Sequence, residues 1–478
     1  MSYKKIKNMT AAILLGCAVL SQSCTSWLDI TPEAQVNDKK IFSTPQGFKD
    51  VLNGIYITAS GEKLYANNLL FGFTDVLAQY YAIPDETHEF AQLAKYQYKD
   101  VNISPKIDEM WLELYFCIAN CNILLERLEE VGPDFFEDER TYYILHGEAR
   151  ALRAFFHFDL LRLFAPYDFS SEAKPAIPYV KEARPAIAPQ LTPAKFVEYA
   201  LEDVNAAIAL LKEDPILTGK DITGMDNGYL ANRNFHLNYY AAVGLKARIC
   251  LYAGNTKDAY DAANEVILAQ QNSDLFPWVK TEDITTTTIE LRDRTFSTEH
   301  LFAFNTNKLG EYIKGYFRET STPLISRILP AELYEPDDYR NALYEIYSGS
   351  ANVLTKFWQL ESVYVSGQGL VRPKRDRMPG IRIAEMYYIA TEALKDSNIG
   401  EAITTLNMLR AYRGLPGLSN LSKEELQKEL EMEYYRELIG EGQVFFYHKR
   451  INTKMIATAN AAYVLPMPDD EIDLGQRQ

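Results

Sequence analysis

The sequence predicts a mostly α-helical fold: a tetratricopeptide-like stack of helix-turn-helix units, with a large irregular loop-rich region inserted between the helical repeats. Apolar residues recur at helical spacing through most of the 478 residues. Two segments that each join two helices through a short turn resemble one another. Between Asn272 and Gly380 the helical spacing stops and turn residues take over.

The predicted helices are amphipathic, and two of them have clear start signals. Thr192 is a suitable N-cap, and Pro193 follows at the first helical position. Ser422 and Glu425 have the spacing of a capping box. The predicted helices cover residues 44–60, 107–131, 138–164, 193–212, 235–253, 257–271, 382–395, 399–412 and 423–441.

The two similar segments indicate an internal repeat. In both, a helix ends in a short turn, a second helix begins, and alanines stand where two helices must approach closely. A chance similarity between two amphipathic helices is the alternative interpretation. Ala247, Leu251, Asn255, Ala259 and Asn264 in the first segment match Ala390, Leu394, Asn398, Ala402 and Asn407 in the second.

The predicted domain organisation follows from these patterns. Residues 1–23 are predicted to be a signal peptide, and residues 24–478 a single domain. Within that domain, residues 24–271 and 381–478 are its N-terminal and C-terminal helical parts. Residues 272–380, rich in Gly, Pro and aromatic residues, form a loop-rich insertion that we expect on the ligand side, because long loops on a rigid scaffold tend to carry function.

The N-terminus has the pattern of a lipoprotein signal peptide. Lys4, Lys5 and Lys7 precede an apolar run that is too short to span a bilayer, and small residues lead to Cys24. We expect lipid attachment at the Cys24 thiol. Cys17 also fits a lipobox, but cleavage there would truncate the apolar region. The sequence therefore predicts an exported body that is tethered to a membrane by lipid.

Charge and cysteine content exclude several classes of function. The formal net charge of −16 makes nucleic acid an unfavourable partner. Cys117 and Cys121 stand four apart on a predicted helix and could offer two thiolates to zinc, but no further ligands have suitable spacing, so small apolar packing groups are the favoured interpretation. The turn at residues 221–228 lacks the oxygen ligands of a calcium loop. We predict no metal and no cofactor.

Aromatic residues in loops are the candidates for ligand contact. Trp278 and Trp358 lie in the irregular insertion, where an exposed tryptophan is costly without a purpose. Tyr80 and Tyr81 are further candidates. For all four, packing into the core is the alternative interpretation.

Charged residues within the helical blocks could suggest catalytic carboxylates. Several lie within one helical turn of an opposite charge, and ion pairs between helices explain such residues in a helical repeat. We therefore predict a structural role for Glu148, Arg150, Arg153, Glu385, Arg436, Glu437 and Glu441.

A series of short sequence blocks runs along the chain in a definite order. They include CTSWLDITP at 24–32, FSTP at 42–45, LNGIY at 52–56, WLELY at 111–115, GEARALRAFF at 147–156, RIAE at 382–385, YREL at 435–438 and PMP at 466–468. In sequence and order, these blocks resemble the RagB/SusD family of outer-membrane nutrient-uptake lipoproteins. Tyr447 departs from the family pattern, since members often carry Asp there, and the loops between blocks follow no pattern that allows ligand residues to be transferred.

The resemblance implies a SusD-like fold and a cell-surface protein of the outer membrane that binds an oligosaccharide or polysaccharide without catalysis. It also implies delivery of that glycan to a SusC-like TonB-dependent transporter. A peptide-binding member of the family is the first alternative. A surface glycoside hydrolase would need two carboxyl groups in a cleft. A pure helical scaffold would have Trp278 and Trp358 buried, whereas a binding protein would leave at least one accessible.

Overall fold

The structure is a computed structural model that describes residues 40–83, 85–184, 186–218, 229–288, 291–318, 320, 323–347, 351–358, 363–367, 369–371, 376–454 and 461–477. The signal peptide, Cys24 and residues 221–228 lie outside these ranges. The chain divides into two compact units, Met1–Phe48 and Lys49–Gln478. In the first, Phe42 packs edge-on against Phe48 with ring centroids 4.8 Å apart. The predicted division of residues 24–478 into three parts stays a prediction.

Helices form most of the second unit. The described part of the chain contains no helix long and apolar enough to cross a membrane. The α-helices are α1 (Pro45–Ala59), α2 (Phe73–Leu77), α3 (Ser104–Val131), α4 (Glu139–Phe164), α5 (Pro193–Leu210), α6 (Tyr239–Tyr252), α7 (Thr256–Asn272), α8 (Thr281–Thr285), α9 (Leu309–Ile313), α10 (Pro330–Leu333), α11 (Ile383–Leu394), α12 (Ile399–Ala411), α13 (Lys423–Leu438), α14 (Gln443–Ile451) and α15 (Asp469–Leu474).

The long helices confirm the sequence prediction, and their caps explain where they begin. The Thr192 hydroxyl accepts a hydrogen bond from the backbone N–H of Lys195 at 3.3 Å. Ser422 and Glu425 form the expected reciprocal capping box. Helix α6 begins four residues later than predicted, at Tyr239, because the Asn238 side chain caps it. Helix α14 was not predicted.

The internal repeat is confirmed by matched caps. The Asn255 and Asn398 side chains each accept a hydrogen bond from the backbone N–H three residues later, at 3.3 Å in both cases. These two asparagines begin α7 and α12, the second helices of their pairs. The matched Ala259 and Ala402 are fully buried. Corresponding residues of the two segments therefore have the same structural roles, as N-caps and as buried packing residues.

The insertion is more regular than its sequence suggests, because it contributes short antiparallel strands. One sheet has four strands in the order β1-β5-β7-β6, and the pairs β4–β10, β2–β3 and β8–β9 form separate two-stranded sheets. The strands are β1 (Tyr81–Ala82), β2 (Ile177–Pro178), β3 (Gln190–Leu191), β4 (His300–Asn305), β5 (Ile325–Ser326), β6 (Tyr344–Tyr347), β7 (Ala351–Leu354), β8 (Val363–Val365), β9 (Gly369–Val371) and β10 (Arg377–Arg382).

Buried charges join the insertion, and Arg382 at the end of β10, to the C-terminal helices. The Arg382 guanidinium donates to Glu437 Oε1 at 2.6 Å and to Glu441 Oε1 at 2.9 Å. Arg413 donates to the Glu299 carboxylate at 2.7 Å and to Glu437 Oε1 at 2.8 Å. These pairs confirm the structural role predicted for Glu437 and Glu441, since both carboxylates are buried among arginines.

The three described cysteines are buried free thiols. Burial raises the pKa of Cys250 to about 11 and raises the pKa of Cys117 and Cys121 further. All three therefore stay protonated at neutral pH and pack as small apolar groups, as predicted for Cys117 and Cys121.

Candidate functional site

A pocket of about 390 Å³ opens where α6, α7, β4 and β10 approach one another. We call it the Phe276 pocket. Residues just before α6, just after α7 and around the start of β4 line it, together with the first residue of β10. Its apolar wall consists of Ile216, Leu230, Leu275, Phe276 and Pro277. Its polar side consists of Asn232, Asn234, Ser297, Thr298, His300 and Arg377.

Paired charges hold one wall of the pocket in place. Arg233, which also lines the pocket, lies 2.6 Å from Glu148 Oε1 and 2.8 Å from Asp214 Oδ2. Glu148 Oε2 also accepts a hydrogen bond from the Tyr56 hydroxyl at 2.7 Å. Burial alone would raise the pKa of Glu148, but Arg233 and His236 hold that pKa at about 2. Glu148 is therefore an anion at neutral pH that anchors Arg233 and, through it, this wall.

His300 brings a hydrogen-bond acceptor without a partner to the pocket. Its side chain is 1% exposed. Nε2 lies 2.8 Å from the Thr295 carbonyl, which can only accept, so Nε2 carries the proton and Nδ1 is the acceptor. Within the described residues, Nδ1 has no hydrogen-bond partner. Burial lowers the pKa of His300 to about 3, so the ring is neutral.

Two further polar groups of the pocket also lack partners. The Thr298 hydroxyl is buried and makes no hydrogen bond within the part of the chain that the structure describes. The half-buried Arg377 guanidinium lies 4.6 Å from the centroid of the Phe235 ring. Among the described residues, no side-chain hydrogen bond or ion pair engages it. Since buried polar groups in folded proteins are normally paired, these groups suit a ligand that both donates and accepts hydrogen bonds.

Phe276, on the apolar wall, has an unusual backbone conformation. Its φ of +50° lies in the left-handed region, which is uncommon for a bulky residue. The Gln270 side chain donates to the Phe276 carbonyl at 2.9 Å and accepts from the Tyr387 hydroxyl at 2.9 Å. The Phe276 ring also packs edge-on against Tyr240. These contacts fix the ring where it lines the pocket, as expected for a strained residue at a functional site.

Trp278 follows the pocket wall directly in the chain and is half-buried. Its ring stacks on the Tyr412 ring, with centroids 5.0 Å apart and planes 23° apart. The Arg413 guanidinium lies 5.2 Å from the Trp278 ring. Tyr412 is 51% exposed, so the pair presents an aromatic face to solvent beside the residues of the pocket.

Trp358 is also half-buried, and it lies in a different part of the insertion. Its backbone N–H donates to the Thr355 carbonyl at 2.9 Å. Neither Trp278 nor Trp358 is in the core, in contrast to what the scaffold alternative requires. A ligand contact by either tryptophan stays a prediction.

Tyr80 and Tyr81 require a correction. They are 2% and 1% exposed, and neither lines the Phe276 pocket. The Tyr80 hydroxyl donates to the Tyr435 carbonyl at 3.1 Å, and the Tyr81 ring packs against Phe317. Both tyrosines join the insertion to the helical core, so the alternative interpretation of core packing is the correct one.

The polar residues of the pocket were not found from the sequence. Thr298 and His300 are neighbours in the chain, but Asn232 and Arg377 are far from them, and the four residues have no motif spacing. The aromatic signal at residues 276–278 was the nearest indication, since it falls on the apolar wall of the pocket. A pocket built from five separate segments becomes visible only once the fold brings the segments together.

Comparison with known families agrees with this architecture. A family model described as SusD-like, starch-binding and associating with the outer membrane matches residues 26–219. A second model, of the SusD family, matches residues 233–463. The chain belongs to the SusD/RagB family. The two matches together cover residues 272–380 completely and most of the helical chain on either side, which confirms the resemblance drawn from the sequence blocks.

Individual relatives of the SusD/RagB protein are distant. A SusD-like protein from Formosa agariphila is 24% identical over 275 residues, which is 56% of this chain, and the chain spans about half, 47%, of that relative's length. A SusD superfamily structure from Bacteroides thetaiotaomicron matches with a TM-score of 0.72 at 22% identity, covering 91% of this chain and 98% of that one.

A structure described as a laminarin-binding SusD-like protein also matches. Its TM-score is 0.64 at 19% identity, with 90% of this chain and 97% of that chain covered. These structural neighbours confirm the predicted helical SusD-like fold of this family member.

Proposed function

We propose that this SusD/RagB protein binds glycans at the cell surface and that the Phe276 pocket takes part of the bound oligosaccharide. The observation that carries the proposal is the juxtaposition of an apolar wall around Phe276 with polar groups at Thr298, His300 and Arg377 that have no partner within the described residues. Sugar rings offer apolar C–H faces to an aromatic ring and hydroxyl groups that both donate and accept hydrogen bonds.

The dimensions of the pocket suit a short stretch of oligosaccharide. Its volume of about 390 Å³ falls in the usual range for ligand pockets, roughly 300–1,000 Å³. The exposed Trp278–Tyr412 pair would extend the binding surface to further sugar rings. The family membership and the laminarin-binding neighbour favour a glycan over a peptide, which is the alternative within the family.

The same proposal includes anchoring and delivery. A lipid attached to Cys24 would hold the protein on the outer membrane, and the bound glycan would pass to a SusC-like TonB-dependent transporter without being cleaved. In a cell that expresses the full chain, Cys24→Ala should move the protein from the membrane fraction to the soluble fraction. Membrane association that persists in this variant would contradict anchoring at Cys24.

Affinity gel electrophoresis tests the binding. The chain without its first 24 residues is run through gels that contain plant, fungal or host polysaccharides, and reducing ends are assayed in the same lanes. We expect retardation by at least one polymer without new reducing ends. New reducing ends would indicate a glycoside hydrolase, and an absence of retardation by every polymer would contradict the glycan-binding proposal.

Two variants then locate the site. Thr298→Val removes a hydroxyl from the pocket at nearly constant volume, and Tyr412→Ala removes the exposed half of the aromatic pair. We expect Thr298→Val to weaken retardation by the selected polymer, and Tyr412→Ala to weaken it by a factor of about 2 to 10. Tyr364→Ala, at a 77% exposed tyrosine of the β8–β9 hairpin, is the control for an exposed aromatic ring elsewhere.

A further inference from the structure

We infer that the Phe276 pocket selects an acidic sugar, a uronic-acid residue whose carboxylate pairs with Arg377 and whose hydroxyl donates to His300 Nδ1. The inference rests on the proposed glycan binding and names the chemical class that this pocket would favour. It is drawn from the set of donors and acceptors that the pocket leaves open.

Arg377 is the first basis of the inference, because its charge is only partly hydrated and forms no ion pair within the described residues. The guanidinium is half-buried against the Phe235 ring, and burial lowers the pKa of Arg377 while the more distant Asp293 acts against that shift. A guanidinium has five N–H donors and no acceptor. A carboxylate presented by a ligand would therefore find a planar, prepositioned partner for a bidentate pair.

Several other arginines of the chain find carboxylate partners within it. Arg153 pairs with Asp203 at 2.6 Å, Arg248 with Glu385 at 2.6 Å and Arg450 with Glu392 at 2.7 Å. Arg233, on the wall of the same pocket, has two carboxylate partners. A ligand carboxylate would give Arg377 the partner that these arginines find within the chain.

His300 is the second basis of the inference, because it distinguishes an acidic sugar from a simple anion. Its neutral ring offers an acceptor at Nδ1, which no unprotonated phosphate or sulfate oxygen can satisfy. A ligand that satisfies both groups must carry an anionic acceptor and a hydroxyl donor. A uronic-acid residue has both on one ring, and its C–H face suits the Phe276 wall.

The remaining charges around the pocket are consistent with one anionic group. The Arg233 charge is balanced by Glu148 and Asp214 and is not available to a ligand. Asp274 also lines the pocket, and its exposed position lets water screen its repulsion of a carboxylate bound at the half-buried Arg377. Arg377 is therefore the residue on which selectivity for an acid depends.

The test compares each acidic oligosaccharide with its own neutral counterpart. Trisaccharides of galacturonate, glucuronate and mannuronate are titrated calorimetrically into the folded chain, each beside the same trisaccharide with its carboxyl groups reduced to alcohols. We expect at least one acid to bind about tenfold to a hundredfold more tightly than its reduced form, and this preference to decrease as salt rises. Arg377→Gln should abolish the preference.

Arg292→Gln is the matched control, since Arg292 lies outside the pocket lining and, among the residues that the structure describes, donates to the Thr286 carbonyl at 3.0 Å without an ion pair. It should leave the preference unchanged. Circular dichroism confirms that each variant is folded. Equal affinity for acidic and reduced trisaccharides, or a preference that survives Arg377→Gln, would overturn the inference while the glycan-binding proposal stands. An absence of binding to any glycan, in the gels and here, would instead remove the proposed function and this inference with it.

Discussion

The charged cluster around Glu437 and the Phe276 pocket are both built from residues of the insertion and of the helices, yet they treat polar groups in opposite ways. In the cluster, Glu437 accepts hydrogen bonds from Arg340, Arg382 and Arg413 at 2.6 to 3.0 Å. Burial alone would raise the pKa of Glu437, but Arg413 and Arg382 hold it well below its ordinary value. In the pocket, Arg377, Thr298 and His300 Nδ1 find no such partners among the described residues.

We interpret the cluster around Glu437 as structural and the groups of the Phe276 pocket as candidates for ligand binding. Buried ion pairs that satisfy one another resist change and hold the insertion on the helices. Polar groups that have no partner within the described residues hold no other element in place, so we expect their substitution to change stability little. The comparison predicts that substitutions in the cluster affect folding and that substitutions in the pocket affect binding.

The largest effect is expected for Glu437→Gln. The substitution leaves three buried guanidinium groups short of one carboxylate, which should lower the free energy of unfolding by about 3–5 kcal/mol. Denaturant titration measures it. Glu198→Gln, which breaks the exposed pair with Lys195, should cost less than about 1 kcal/mol. A loss at Glu437 no larger than that at Glu198 would mean that the cluster does not hold the fold together.

Glu148 should make stability depend on acid pH. Its pKa falls from an ordinary value of 4.5 to about 2 in the folded chain, so its stabilisation is complete above pH 4.5 and is lost as pH falls towards 2. The shift corresponds to about 3 kcal/mol. Unfolding free energy measured against pH should therefore decline less steeply over this range in Glu148→Gln than in the parent chain. Parallel curves would exclude the effect.

Removing either of the two matched asparagine caps should lower the free energy of unfolding by a smaller amount, which should be equal for the two. Asn255→Ala and Asn398→Ala each remove one N-cap, at a cost of about 1 kcal/mol. Thermal or denaturant unfolding of the two variants measures both losses. If one variant were as stable as the parent chain, the two segments would not be physically equivalent repeats.

The smallest effect on stability is expected in the pocket itself. Arg377 has no side-chain ion pair within the described residues, so Arg377→Gln should change the free energy of unfolding by less than about 1 kcal/mol, the scale of its contact with the Phe235 ring. A loss comparable to that of Glu437→Gln would show that Arg377 is structural and would end the contrast between the two regions.

The helices and the repeat could be predicted from the sequence because their signals are local. Caps at Thr192 and Ser422, and apolar residues at helical spacing, act within one or two turns. The strands of the insertion could not be predicted, because β4 and β10 are short and pair across a long separation in the chain.

The candidate site could be predicted only in part. The aromatic signal at residues 276–278 is local and falls on the pocket wall, but Tyr80 and Tyr81 carried the same signal and lie in the core. Whether an aromatic ring in a loop faces solvent depends on tertiary packing, and so does whether an arginine such as Arg377 finds a carboxylate. Neither property can be predicted from the spacing of residues in the sequence.

A crystal structure of the chain with an oligosaccharide of the polymer selected by affinity electrophoresis tests the central claim most directly. We expect a sugar ring in the Phe276 pocket, packed against Phe276 and within hydrogen-bond distance of Arg377 and of His300 Nδ1. An oligosaccharide bound elsewhere on the chain, with only water in the pocket, would contradict the account.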